Sequence, residues 1–182
     1  MTTWKSWVEA VARGVAEVPD YDLLHAAVLL RSADLVLTAG NGGSAAIASH
    51  AAQALMKPDY VAGGGKATVC LTDMVPTFTA HANDGGWSDA LASSATPFFD
   101  PTRRVALLVI SSSGKSENVV RLTRLARDSG CLIVALTGFA GEPLRSLADV
   151  SLHVSSSDYE VVEPVHDALI HRVQHHLRAI AT

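Results

Sequence analysis

Val105-Ala106-Leu107-Leu108-Val109-Ile110 is an unbroken apolar run rich in β-forming residues, and it leads into Ser111-Ser112-Ser113-Gly114-Lys115-Ser116 and then a helix-like stretch, residues 117–129. A strand that is apolar at every position is buried on both faces, and such strands belong to parallel sheets covered by helices on either side. The unit recurs along the chain. Leu35-Val36-Leu37 runs into Ala39-Gly40-Asn41-Gly42-Gly43-Ser44 and a helix-like stretch at 45–56, and residues 67–71, 132–136 and 150–154 are further strand-sized apolar runs. Outward from this core, Trp4, Trp7, Val8, Val11 and Val15 recur at spacings of three and four, the mark of an amphipathic helix that ends near Pro19. A second helix follows over 20–32, Gly63-Gly64-Gly65 makes a tight connection before the second strand, and the last helix is expected over 164–179 with four of the eight histidines. The reading is an α/β fold: a single doubly wound, five-stranded parallel sheet flanked by helices, one domain over 1–182, with an N-terminal helical segment at 1–33.

Composition narrows the function. With 182 residues, 48% hydrophobic and 18% charged, the chain is long enough for one sizeable core without a metal or disulfide staple, so a metal would be there for chemistry. Fourteen Lys and Arg against 18 Asp and Glu give a net charge of -4, which argues against nucleic acid as a direct ligand. Cys70 and Cys131 sit inside apolar runs and read as buried thiols of a reducing, cytoplasmic setting. The first residues carry no basic stretch followed by an apolar segment, and the longest apolar run is far too short to span a bilayer, so neither a signal peptide nor a membrane association is expected.

In an open α/β sheet, ligands bind at the carboxyl ends of the strands. Two of those ends are unusual here. Gly40-Asn41-Gly42-Gly43-Ser44 offers close backbone approach and the free N–H groups of a helix start; Ser111 to Ser116 offers hydroxyls, an ammonium and a second helix start. Each is an anion seat, and each by itself could equally be a capped turn. Neither has the glycine spacing of a dinucleotide fingerprint or of a Walker loop, so the ligand read from them is a smaller phosphate ester.

These residues resemble those of the sugar isomerase (SIS) domain, a flavodoxin-like fold, and within it the phosphoheptose isomerases. The resemblance rests on the glycine loop with His50 on the helix behind it, on Leu71-Thr72-Asp73 and Asn83-Asp84, on the serine loop, on Ala135-Leu136-Thr137-Gly138, and on His166 and His171 of the last helix. It covers nearly the whole chain. It implies an aldose–ketose isomerase in which Ser44, Ser111, Ser112, Ser113 and Ser116 hold a sugar phosphate, with Asn41, Gly42, Gly43 and Asp73 completing the substrate contacts. It also implies a homotetramer, built in part through residues 1–33, with the sites between subunits and with Trp4 and Trp7 under cover. Lys115 stands where these enzymes often carry Asn, and either adds charge to the phosphate seat or is a solvated side chain.

The chain departs from that family at the metal. The resemblance implies zinc, or another divalent metal, held by a His and a Glu one turn apart on the first core helix and by a Gln and a His on the last. His50 and His171 are present, but the Glu position is Ala54 and the Gln position is Glu163. Gln53 would point about 100° away from the required face. Relocation of the carboxylate gives a metal set of His50, Glu163 and His171, with Glu163 and His171 also the candidate catalytic pair. Glu160 is the alternative base, and His81 and Asp84 flank a turn bordering the pocket. His176 is expected in solvent. The competing reading is decay: Glu163 merely caps a helix that begins at Pro164, whose ring disfavours helical geometry there, and the protein is a phosphosugar-binding or adaptor module.

Overall fold

A computed structural model describes residues 3–57 and 64–180. Helix α1 (Trp4–Glu17) starts at Thr3, whose Oγ1 accepts the Ser6 N–H, and α2 (Asp20–Ser32) starts after Pro19. Five strands follow, β1 (Leu35–Ala39), β2 (Thr68–Cys70), β3 (Val105–Ser111), β4 (Leu132–Thr137) and β5 (Val150–His153). All pairings are parallel and the order is β2-β1-β3-β4-β5. This is the doubly wound sheet expected from the unbroken apolar runs.

Strand residues alternate between two apolar layers. Val36, Leu108, Ile110, Val134 and Leu136 face the layer that holds α1, α2, α3 (Gly43–Met56) and α8 (Tyr159–Ala179). Leu37, Leu107, Val109, Ile133 and Ala135 face the layer of α5 (Trp87–Ala95), α6 (Glu117–Asp128) and α7 (Leu144–Leu147). The connections after β1 and β3 therefore leave the sheet on opposite faces. A crevice opens between their carboxyl ends, which is the place where such sheets bind ligands.

Several expectations shift. Helix α4 (Val75–Gly85) and α5 occupy a region read only as a turn; the break between them is real, with Gly86 at φ 88°. Strand β2 is three residues, and Leu71–Asp73 is a 3-10 turn. Cys70 lies in β2, but Cys131 precedes β4 and is half-buried, with burial pushing its thiol up to about 11. Gly63 lies outside the described residues. Trp4 is exposed, whereas Trp7 is half-buried against the first apolar layer.

The last helix begins at Tyr159, not Pro164, and runs through the proline. Pro164 has no N–H to offer the Glu160 carbonyl one turn earlier. The Trp7 indole N–H donates to that carbonyl instead, at 2.9 Å. Asp158 caps the new start by accepting the Glu160 N–H. Glu163 thus has helical backbone and projects from the second turn of α8.

Candidate active site

The crevice is built by two strand-to-helix turns and one helix. After β1 the chain passes Gly42 at φ 55° and enters α3 at Gly43, with Ser44 buried in the first turn. After β3 the serine loop folds tightly, Gly114 N–H donating to the Ser111 carbonyl at 3.1 Å. Ser116 leads into α6 without its side chain capping the helix, which leaves that hydroxyl free for a ligand. Asn41 and the fully buried Asn118 exchange two amide hydrogen bonds at 2.9 and 3.0 Å, clamping the two turns together across the crevice. Buried amide pairs of this kind fix geometry because neither partner has an alternative.

The turns enclose a cavity of about 280 Å³. Asn41, Gly42, Gly43 and Ser44 line one side, Ser111, Ser112, Ser113 and Ser116 the other, and Tyr159 and Glu163 of α8 complete it. Eight expected substrate contacts therefore meet in one place. Hydroxyls, backbone N–H groups and the positive end of α3 suit an anion the size of a phosphate.

Glu163 sits where a side chain on Gly43 would be: a methyl group there would overlap its carboxylate. A carboxylate thus rests against the first turn of α3, at the edge of the anion seat.

Other expected contacts lie elsewhere. Asp73 is exposed and accepts the Ser49 hydroxyl at 2.6 Å, outside the cavity's lining. Lys115 is exposed and does not line the cavity. Glu160 lines a separate groove with Thr3, Trp4 and Trp7. His81 and Asp84 lie on α4, where Asp84 accepts from Asn83. His176 is half-buried and meets Asp20 at 3.2 Å, because α8 packs along α2. His166 is fully buried, and its ring meets the Thr137 carbonyl without the geometry of a good hydrogen bond. Burial pushes its pKa down to about 4, so it is neutral near pH 7.

A second group forms where α3 and α8 face each other. His50 of α3 meets Asp167 of α8 at 2.7 Å between Nδ1 and Oδ1, and the rings of His50 and His171 lie 5.0 Å apart. One donor atom from each of His50, Asp167 and His171 falls within 4.8 Å of the others. Glu163, one turn before Asp167 on α8, lines the serine cavity and does not belong to this group. The Nδ1 of His171 meets the Gln174 side-chain amide at 3.0 Å, which leaves Nε2 as the ring nitrogen open to a ligand. Ala54 is fully buried and supplies no donor. Two imidazoles and a carboxylate are ordinary zinc donors, so the residues present fit the divalent metal that the sequence resemblance implies.

Sequence reasoning missed Asp167 and Tyr159. Asp167 stands four residues before His171, the spacing that puts two side chains on one helical face, and that signal was available. Tyr159 gave none. Its ring packs 4.7 Å from Phe139, which is held at φ 51° while its N–H donates to the Ser156 carbonyl at 2.7 Å. A bulky residue in the left-handed region is strained, and such strain gathers at binding sites.

Comparison with known proteins agrees with this geometry. Residues 21–138 match the SIS domain model, and the chain belongs to the SIS domain family; within it, the likeness is to phosphoheptose isomerases. The phosphoheptose isomerase of Aliarcobacter butzleri is 33% identical over 151 residues, which is 79% of this chain and 75% of that protein. A lincomycin biosynthesis protein of Streptomyces lincolnensis is 35% identical over 150 residues, 80% of this chain, and the chain spans about half (54%) of its length. The solved phosphoheptose isomerase of Neisseria gonorrhoeae superposes with a TM-score of 0.84 at 26% identity, covering 97% of this chain and 95% of that one.

Proposed function

We propose that the protein is a phosphosugar isomerase that interconverts a ketose phosphate and an aldose phosphate through an enediol, with sedoheptulose 7-phosphate and the corresponding heptose 7-phosphate as its pair. The observation that carries this reading is the convergence of the glycine turn and the serine loop on one cavity that also holds the Glu163 carboxylate. The names of the related phosphoheptose isomerases support the substrate class.

The serine hydroxyls and the first turn of α3 hold the phosphate and leave the sugar's carbon chain directed toward α8. Glu163 takes a proton from the carbon beside the carbonyl. That C–H pair becomes the enediol double bond while the carbonyl oxygen takes a proton from solvent, and the other hydroxyl gives one back to solvent in the second half of the reaction. Returning the proton to the neighbouring carbon, as the other hydroxyl becomes the carbonyl, completes the exchange with no net change in atoms or charge. A divalent metal held by His50, His171 and a carboxylate of α8 would supply charge stabilisation for the oxygens of the enediol. Gln174 contacts His171 Nδ1 at 3.0 Å, so Nε2 is the nitrogen through which His171 would serve as a ligand.

The test is incubation with zinc and a panel of ketose phosphates in deuterated water. Wild type should incorporate deuterium beside the carbonyl, and Glu163→Gln should lower incorporation by about 10²–10⁴-fold, the span of general acid–base effects, while sugar-phosphate binding persists. One observation favours a second reading. The carboxylate position of the family is the buried Ala54, as in a phosphosugar-binding or adaptor module without chemistry. That reading wins if wild type binds the sugar phosphates and exchanges no deuterium.

A further inference from the structure

We infer that Asp167 is the carboxylate ligand of the metal, closing the site with His50 and His171, and that Glu163 stands outside the coordination sphere. The inference rests on the isomerase reading above and names the ligand that reading leaves open. A dication held by two neutral imidazoles is uncompensated, and the position that would carry the balancing carboxylate on α3 is Ala54. Helix α8 offers two replacements one turn apart, Glu163 and Asp167.

Geometry separates them. The Glu163 oxygens lie against Gly43 in the serine cavity. Asp167 lies one turn further along α8, four residues from His171, and already touches His50 at 2.7 Å. Its donor atom and those of both histidines come within 4.8 Å of one another, close enough for small side-chain rotations to bring all three around one ion. The His50–Asp167 hydrogen bond shares a proton where the cation would bridge the same two groups, and metal binding displaces such protons. On the other side, Gln174 meets His171 Nδ1 at 3.0 Å and leaves Nε2 toward the ion, outer support of the kind that ligating histidines have. Three protein ligands leave a fourth position for substrate, the arrangement of a catalytic rather than a structural zinc site. Glu163 and Asp167 thereby divide the work that a single relocated Glu163 would otherwise have to do alone.

Titration of the full chain with Co(II), followed by calorimetry and by the visible ligand-field bands, tests this without any turnover. Wild type should bind one ion per chain. Asp167→Asn and Asp167→Ala should each weaken binding well beyond the roughly 10–100-fold that loss of a merely supporting partner costs, and alter the bands, whereas Glu163→Gln should leave both unchanged. The asparagine variant is decisive, since its amide oxygen can still accept the His50 N–H. Retained affinity and spectrum in Asp167→Asn would reduce Asp167 to orienting His50 and overturn the assignment. So would loss of binding in Glu163→Gln, or a wild-type chain that binds no Co(II). Sugar-phosphate binding and deuterium exchange measured on the same samples separate the two levels. Exchange without metal binding sinks the ligand assignment alone, and a metal-loaded protein that exchanges nothing sinks the isomerase reading alone.

Discussion

Gly43 needs no unusual φ, because it lies in the ordinary backbone of α3; what it lacks is room for a methyl group, since the Glu163 carboxylate occupies that space. Gly43→Ala therefore opposes two effects. Alanine favours a helix over glycine by up to about 1 kcal/mol, and the obstruction is the far end of a flexible side chain that can swing away. The expected outcome is a melting temperature equal to or above wild type together with at least a tenfold (order-of-magnitude) fall in deuterium exchange, because the displaced carboxylate loses its place beside the substrate. Thermal melting and the exchange assay on the same variant check it, and full exchange would show that Glu163 need not sit over α3. At this scale the sequence was readable wherever chemistry and strand ends coincided. The serine loop and glycine turn line one cavity, and Glu163 lines it as well, apart from His50 and His171, the partners expected for it around a metal. Asp73 was not readable, because nothing in its strand-end position shows that Ser49 would take up its carboxylate.

Helix α8 shows how an element absorbs a residue that should end it. Pro164 leaves the Glu160 carbonyl without its helical donor, and the Trp7 indole of α1 supplies one. Trp7→Phe keeps most of the apolar packing and removes only the N–H, so it should cost about 1 kcal/mol in chemical denaturation. Pro164→Ala restores a backbone donor, and the Trp7→Phe cost should shrink in that background. A double-mutant cycle measures this coupling, and additive effects would show that the indole bond does not replace the missing helical one. The same proline explains why the start of α8 was misread: a proline suits a first turn, and only a partner 153 positions away in sequence lets it sit inside. The strands were legible because burial on both faces leaves unbroken apolar runs. Helix α4 was not, since it has no fully buried residue and hence no stripe to recognise, and α5 buries mainly alanine and serine alongside Leu91.

For the molecule as a whole, two features of the N-terminal layer and its neighbour have measurable consequences. Tyr21, Leu24 and Val28 are exposed at one-turn and two-turn spacings on α2, Trp4 and Val8 are exposed on α1, and an apolar stripe such as that of α2 calls for cover. Sedimentation at micromolar concentration should give the mass of four chains, as the proposed isomerase implies, and Leu24→Asp should release smaller species. The second feature is His166, buried against the sheet, with burial lowering its pKa from 6.5 to about 4 against an opposing contact with the Thr137 carbonyl, and the nearby His153 adding to the lowering. An unfolded chain takes up a proton at this residue as pH falls through 6.5, while the native chain refuses it until about pH 4. The stabilisation is therefore complete above pH 6.5 and is lost progressively down to pH 4, at up to about 1.4 kcal/mol per pH unit and about 3 kcal/mol in all. Asp20, Asp100 and Glu142 also have lowered pKa values, Asp20 through its bond to Arg172, Asp100 through Thr102 and Glu142 through Ser146, and the stability they contribute is lost only in the carboxylate range at the acid end. Between pH 7 and pH 5 the histidine acts with little interference from them. Chemical denaturation of the metal-free protein at a series of pH values in that window should show stability falling toward acid, and His166→Leu should flatten the slope. An unchanged slope in the variant would move the acid sensitivity to another group, with His153, whose pKa burial also lowers, the next to replace.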